Sequence, residues 1–276
     1  MTPPQQPPDR HQRAWWRKAL REALRDAWAL LMPVECAGCQ RADRALCDEC
    51  APSMVAQPSV QSTPQHLAVH YALRYEGRVR RVLLAFKNHH RTDLSRPLAR
   101  AFVPALLRAV EAAEQTEAST RSEAAKRFED AGPSEVAAPT DASARPLQIV
   151  AVPSSRRAFR TRGYHPMALV LRAAGVRHAR VLRVAQETRS QKLLSAEQRA
   201  RNVLGAFIAT RSLAGIRVII VDDVLTTGAT IDEAARAIFA AGGTVVGAAT
   251  IGFTPRTLTV RDIASGEGYG MEKGAK

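Results

Sequence analysis

The sequence predicts an α/β fold, a parallel sheet flanked by helices, with a small four-cysteine module on its N-terminal side. Three observations carry this expectation. Val218 to Val221 is an unbroken β-branched run of the kind buried on both faces of a parallel sheet. Ile231, Ala234, Ala235, Ile238 and Phe239 then fall at helical spacing, and Gly242-Gly243 closes that helix before a second apolar strand, Thr244 to Ile251. Strand, helix and strand thus form one βαβ unit. Finally, all four cysteines fall into two C-x-x-C pairs, Cys36/Cys39 and Cys47/Cys50.

Along the chain, residues 1–14 are rich in Pro and Gln and predict disorder. From Trp15 to Met32 the pattern is amphipathic: Trp16, Leu20, Leu24, Trp28 and Leu31 form one stripe, while Arg17, Lys18, Arg21, Arg25 and Asp26 occupy the other faces. Charges at every turn exclude a transmembrane helix or a signal peptide. Such a stripe rests on a membrane surface or packs on a neighbouring domain, and packing is the commoner outcome. Beyond the cysteines, His66 to Tyr75 alternates like a strand. Gly77 opens a helix through Val79, Leu83, Leu84 and Phe86 to Lys87, and a second helix is expected over Leu94 to Ala112. Residues 111–145 hold scarcely any large apolar side chain and predict a disordered insertion. A strand follows from Leu147 to Val152, ended by Pro153. The expected divisions are a tail and helix over 1–32, a cysteine module over 33–60, the α/β domain over 61–253 and a flexible tail over 254–276. A 46% apolar fraction fits one sizeable core in a cytoplasmic globular protein.

Each C-x-x-C pair places two thiolates on one face of a tight turn, and two such knuckles close a tetrahedron around Zn2+. Two disulfides, or free thiols, are the competing readings. The lack of a secretory signal and the size of the core favour a structural metal, with Cys36, Cys39, Cys47 and Cys50 as ligands.

Asp222 and Asp223 follow the apolar strand as a carboxylate pair, and Thr226, Thr227, Gly228, Ala229 and Thr230 supply hydroxyls and amides at the start of the next helix. That combination suits a sugar phosphate: the turn holds the phosphate, and the carboxylates sit where ribose hydroxyls or a hydrated Mg2+ would be. The segment resembles the phosphoribosyl pyrophosphate (PRPP) motif of type I phosphoribosyltransferases. The resemblance implies that Asp222 and Asp223 take the ribose and Thr226 to Thr230 the 5′-phosphate. Thr226 stands where purine salvage members carry an Asp base.

Pro153 is followed by Ser154, Ser155, Arg156, Arg157, Arg160 and Arg162, and fourteen Lys or Arg against two Glu lie between Ser155 and Arg217. A field this lopsided concentrates polyanions, pyrophosphate or nucleic acid. With these pieces the chain resembles the ComF family of competence-associated proteins over about residues 30 to 253. The match runs through Cys36 to Cys50; Tyr75, Gly77 and Lys87; Val152 to Gly163; Arg183, Thr188, Gln191, Leu194, Arg199, Asn202 and Gly205 to Phe207; and Asp222 to Thr230. His165-Pro166 departs from the Asn-Gln of many members.

The resemblance implies a type I phosphoribosyltransferase-like sheet that binds PRPP with Mg2+. Ser154, Ser155, Arg156, Arg157 and Arg162 then hold pyrophosphate, and a lid over 186–201 includes Gln191 and Arg199. It also implies a role in DNA uptake, with single-stranded DNA and other competence proteins as partners. Transferase turnover and DNA binding without turnover are both compatible with these residues. A glutamine amidotransferase is disfavoured, because no glutaminase domain is present and Met-Thr opens the chain.

Overall fold

The computed structural model describes residues 35–42, 44–131, 145–185 and 204–255. The helix expected over Trp15–Met32 and most of the C-terminal tail lie outside them. Seven strands are described: β1 (Ser59–Ser62), β2 (Ala68–Arg74), β3 (Leu147–Ala151), β4 (Leu182–Val184), β5 (Phe207–Ala209), β6 (Arg217–Leu225) and β7 (Thr244–Phe253). Five helices accompany them: α1 (Gly77–Asn88), α2 (Ser95–Ala131), α3 (Arg156–Arg162), α4 (Pro166–Ala173) and α5 (Ala229–Ala240). The main sheet has the order β1-β2-β7-β6-β3. All its pairings are parallel except β1 with β2, and β4 and β5 form a separate antiparallel pair.

The β-branched run behaves as its composition demands. Val218, Ile219, Ile220 and Val221 are fully buried at the centre of the sheet, between β7 and β3. Side chains alternate across a strand, so Ile219 and Val221 join one apolar cluster with Val82, Phe86 and Phe102 of α1 and α2 and Leu171 of α4. Val218 and Ile220 join the other, with Ile231, Ala234 and Ile238 of α5. A sheet covered by helices on both faces results, confirming the expected fold class.

The second helix differs from expectation. Expected to stop at Ala112, α2 runs to Ala131, so the insertion predicted as disordered over 111–145 is helical as far as that residue. Ala and Glu are strong helix formers whether or not a large apolar face is present. Thr116, Ser119 and Thr120 return their hydroxyls to carbonyls one turn back. Arg217, at the start of β6, pairs with Glu117 and docks the extension against the sheet. Among the described residues no helix is long and apolar enough to cross a membrane.

Candidate active site and cysteine cluster

Asp222 and Asp223 lie inside β6 rather than at its tip, because β7 continues beside them and pairs Asp222 with Thr250 and Val224 with Gly252. On the other side β3 ends at Ala151, opposite Val221. The ladder therefore persists on one flank of the carboxylates and opens on the other. That opening is the mouth of the site.

The two carboxylates have different surroundings. Lys87, in the last turn of α1, reaches Asp223 Oδ1 at 2.8 Å, and both side chains are about four-fifths buried (20% and 18% exposed). Tyr164 fixes that turn by donating its hydroxyl to the Phe86 carbonyl and packing its ring 5.8 Å from that of Phe86. Asp222 accepts the Asp223 backbone N–H at 2.8 Å. Burial first and the Asp223 charge second push its carboxyl up to about 7, against the pull of Lys87 and of that backbone bond. One ammonium shared by two carboxylates leaves the pair short of positive charge, so the donor set fits a hydrated divalent cation.

The loop after β6 is held by close approach. Gly228 has φ +83°, and a Cβ there would come 3.0 Å from Pro64 Cδ and 3.0 Å from Thr63 Cβ in the β1–β2 turn. Only glycine accepts both the backbone and the contact. The same turn is tied to α5 by the Gln65 N–H, which donates to Asp232 Oδ2 at 3.4 Å, while Asp232 Oδ1 is buried without a hydrogen-bond partner among the described residues. Thr227 Oγ1 accepts the Ala229 N–H at 3.4 Å, and Thr226 is exposed.

Two cavities meet at the carboxylates. One of about 240 Å3 is lined by Ser154, Ser155, Arg162 and Thr230 together with Asp222 and Asp223. Ser155 also caps α3, its hydroxyl accepting the Ala158 N–H at 3.1 Å. Arg156, Arg157 and Arg160 are exposed on α3 and do not line this cavity. The second, of about 130 Å3, joins Ser154, Asp222 and Asp223 to His165, His178 and Arg180. The structure thus brings Asp222, Asp223, Thr230, Ser154, Ser155 and Arg162 together, whereas Gln191 and Arg199 lie outside the described residues.

Sequence reasoning missed the Lys87 contact, and also His178 and Arg180. Lys87 had a visible signal, the one basic residue in the last turn of a helix whose other cations, Arg78, Arg80 and Arg81, lie in its first half. His178 and Arg180 had none, since they flank Ala179, whose single bridge to Val150 extends the sheet beyond β3.

The four cysteine sulfurs lie within 4.8 Å of one another. Gly38 makes this possible: a Cβ there would meet Cys50 Sγ at 2.8 Å. Cys36 Sγ accepts the backbone N–H groups of Cys47 (3.3 Å) and Gly38 (3.4 Å). Burial raises its pKa, but those donors outweigh it and bring the thiol down to about 6. Burial, then the neighbouring Cys47 and Cys39 thiols, push Cys50 up to about 12. Four converging sulfurs with one favoured as thiolate fit a soft, four-coordinate metal. The knuckles rest on the α/β domain, where Arg78 donates to the Glu49 carbonyl at 3.0 Å and Arg91 to the Glu35 carbonyl at 2.8 Å.

Residues 161–263 match the family model of the phosphoribosyl transferase domain. The match spans the carboxylate pair, the loop after it and both α5 and β7, so this part of the chain is similar to a phosphoribosyl transferase domain. No curated protein matches the chain.

Proposed function

We propose that the chain binds PRPP with Mg2+ at the Asp222–Asp223 cavity and transfers its phosphoribosyl group, and that the four cysteines hold a structural Zn2+. The observation that carries the reading is the meeting of Asp222, Asp223, Ser154, Arg162 and Thr230 around one cavity, beside a glycine-forced loop. Asp222 and Asp223 accept hydrogen bonds from the ribose hydroxyls, and the Lys87 ion pair holds Asp223 in position. Thr230 and the amides of the loop receive the 5′-phosphate. Ser154 and Arg162 receive the pyrophosphate, whose departure is assisted by positioning and charge stabilisation. Mg2+ supplies neutralisation of the pyrophosphate charge when bound. Calorimetry with PRPP, with and without Mg2+, tests the binding, and pyrophosphate release across a panel of acceptors tests turnover. The reading is lost if PRPP with Mg2+ gives no heat and protects nothing.

A second reading concerns the exposed arginines. Arg156, Arg157 and Arg160 have no hydrogen-bond or ion-pair partner among the described residues and project from one short helix beside the site. This supports a ComF-type role in DNA uptake, with single-stranded DNA on that helix. DNA affinity then falls with salt at a log–log slope of about −0.7 per neutralised phosphate. Charge reversal of Arg156 and Arg157 lowers affinity and slope together while PRPP, held by Arg162, still binds. An unchanged slope refutes the assignment.

A further inference from the structure

The smaller cavity shares Ser154, Asp222 and Asp223 with the larger one, but its His165, His178 and Arg180 have no part in the phosphate binding described above. Its walls are of two kinds. Pro166 and Met167 of α4 and Leu182 of β4 are buried and apolar. His165, His178 and Arg180 line the same space. Among the described residues none of these three side chains has a hydrogen-bond or ion-pair partner, and Arg180 is exposed. The His165 ring is nonetheless held in place, stacked on Phe159 with centroids 4.6 Å apart and planes 22° from parallel.

A ribose seated on the carboxylate pair has two open neighbours. The lobe with Ser154, Arg162 and Thr230 carries the phosphate chemistry, so the leaving group is accounted for. What attacks the anomeric carbon must come from another direction, and the His165–His178–Arg180 lobe is the adjoining space. We infer that this lobe is the acceptor subsite and that it takes a single-ring acceptor bearing a carboxylate. The inference rests on the PRPP reading of the neighbouring cavity.

Size and charge set the class. A dry cavity of about 150 Å3 holds one benzene, and this lobe, at about 130 Å3, is of that order. That space suits a single six-membered ring. Apolar walls suit the faces of such a ring, and a free guanidinium suits a carboxylate through paired N–H donors. Burial first and Arg180 second hold both imidazoles below their ordinary pKa, so they serve as neutral donors or acceptors while Arg180 supplies the fixed charge. In the transfer, a ring-nitrogen lone pair forms the bond to the anomeric carbon as the carbon–oxygen bond to pyrophosphate breaks, and pyrophosphate leaves with that electron pair.

Pyrophosphate would also suit a basic lobe, and the test separates the two sources. Titrating the full chain with nicotinate and benzoate, in the presence of ribose 5-phosphate and Mg2+, should give binding about tenfold tighter than with nicotinamide and benzamide, the factor one charge-assisted pair supplies. Arg180→Ala removes an exposed, unpaired side chain and leaves the fold intact. It should abolish the preference for carboxylates while PRPP and pyrophosphate affinities stay within about twofold. The inference is overturned if the amides bind as well as the acids, or if Arg180→Ala weakens pyrophosphate as much as nicotinate. Should PRPP fail to bind the wild-type chain while nicotinate still binds and depends on Arg180, the lobe stands and the transferase reading falls instead.

Discussion

The cysteine cluster and the carboxylate strand both gather like groups that repel or resist ionisation, but they are held together by different means. Cys36, Cys47 and Cys50 form a buried cluster against which, among the described residues, only Leu46 packs, so little apolar surface holds the knuckles closed. Asp222 and Asp223 ride on a strand whose preceding four residues are fully buried between two layers of helices. A metal site of the first kind folds with its ion, whereas the second kind exists before any ligand arrives. The contrast teaches where ligand removal should show as unfolding and where only as lost affinity.

The largest effect should follow loss of the metal. Purified protein is expected to hold one zinc per chain. Cys47→Ser or Cys50→Ser should release it and expose residues 35–56 to protease, since structural zinc contributes on the order of 10 kcal/mol to small modules. Four titratable thiols in native, metal-free and protease-resistant protein would break the comparison at once.

Next in size is Gly228→Ala. The left-handed backbone alone costs about 1–2 kcal/mol, and the added methyl presses on Pro64 and Thr63 at 3.0 Å. PRPP affinity should drop at least about tenfold while the fold persists. Unchanged affinity in calorimetry would mean that the loop is not shaped by the β1–β2 turn.

The two carboxylates should then separate in sign. Asp223→Asn strands the mostly buried Lys87 ammonium and should cost about 1–3 kcal/mol. Asp222→Asn removes a carboxylate that burial and its neighbour disfavour, so its melting temperature should rise by a few degrees at neutral pH. Equal shifts in thermal melts would show that Lys87 does not discriminate between them.

The smallest effect is in pH. Asp222 titrates at about 7 in the folded chain against about 4 unfolded, so between those values the folded state binds more protons. Stability of the ligand-free protein should therefore fall, by roughly 1 kcal/mol or more, as pH rises from about 4 to about 7. Asp222→Asn should flatten that slope, and saturating Mg2+ with PRPP should reverse it. A ligand-free profile that rises over this range would contradict the assignment.

Local periodicity made the βαβ core legible. The β-branched run Val218 to Val221 has the composition of a strand buried on both faces, and the spacing of Ile231, Ala234 and Ile238 marks one helix face. The cysteine spacing was equally direct. The length of α2 was not, because Ala and Glu mark helix and disorder alike, and the deciding contact with Arg217 comes from a strand far along the chain. Lys87 and Asp223 are likewise remote in sequence, and their pairing exists only once α1 crosses the end of β6. The second lobe owes its form to the point where β3 stops, a register no single segment records.

The antiparallel pairing of β4 with β5 has its own consequence for chain length. The Ala185 N–H donates to the Ala206 carbonyl at 2.8 Å, and the Phe207 N–H and carbonyl are bound in turn by Glu233 and Arg236 of α5. Whatever residues 186–203 do, the residues on either side of them are already joined by the fold, so the entropy of bringing those two ends together is settled before any ligand binds. Doubling its length would cost only about 0.6 kcal/mol. Insertions there should consequently leave melting nearly untouched.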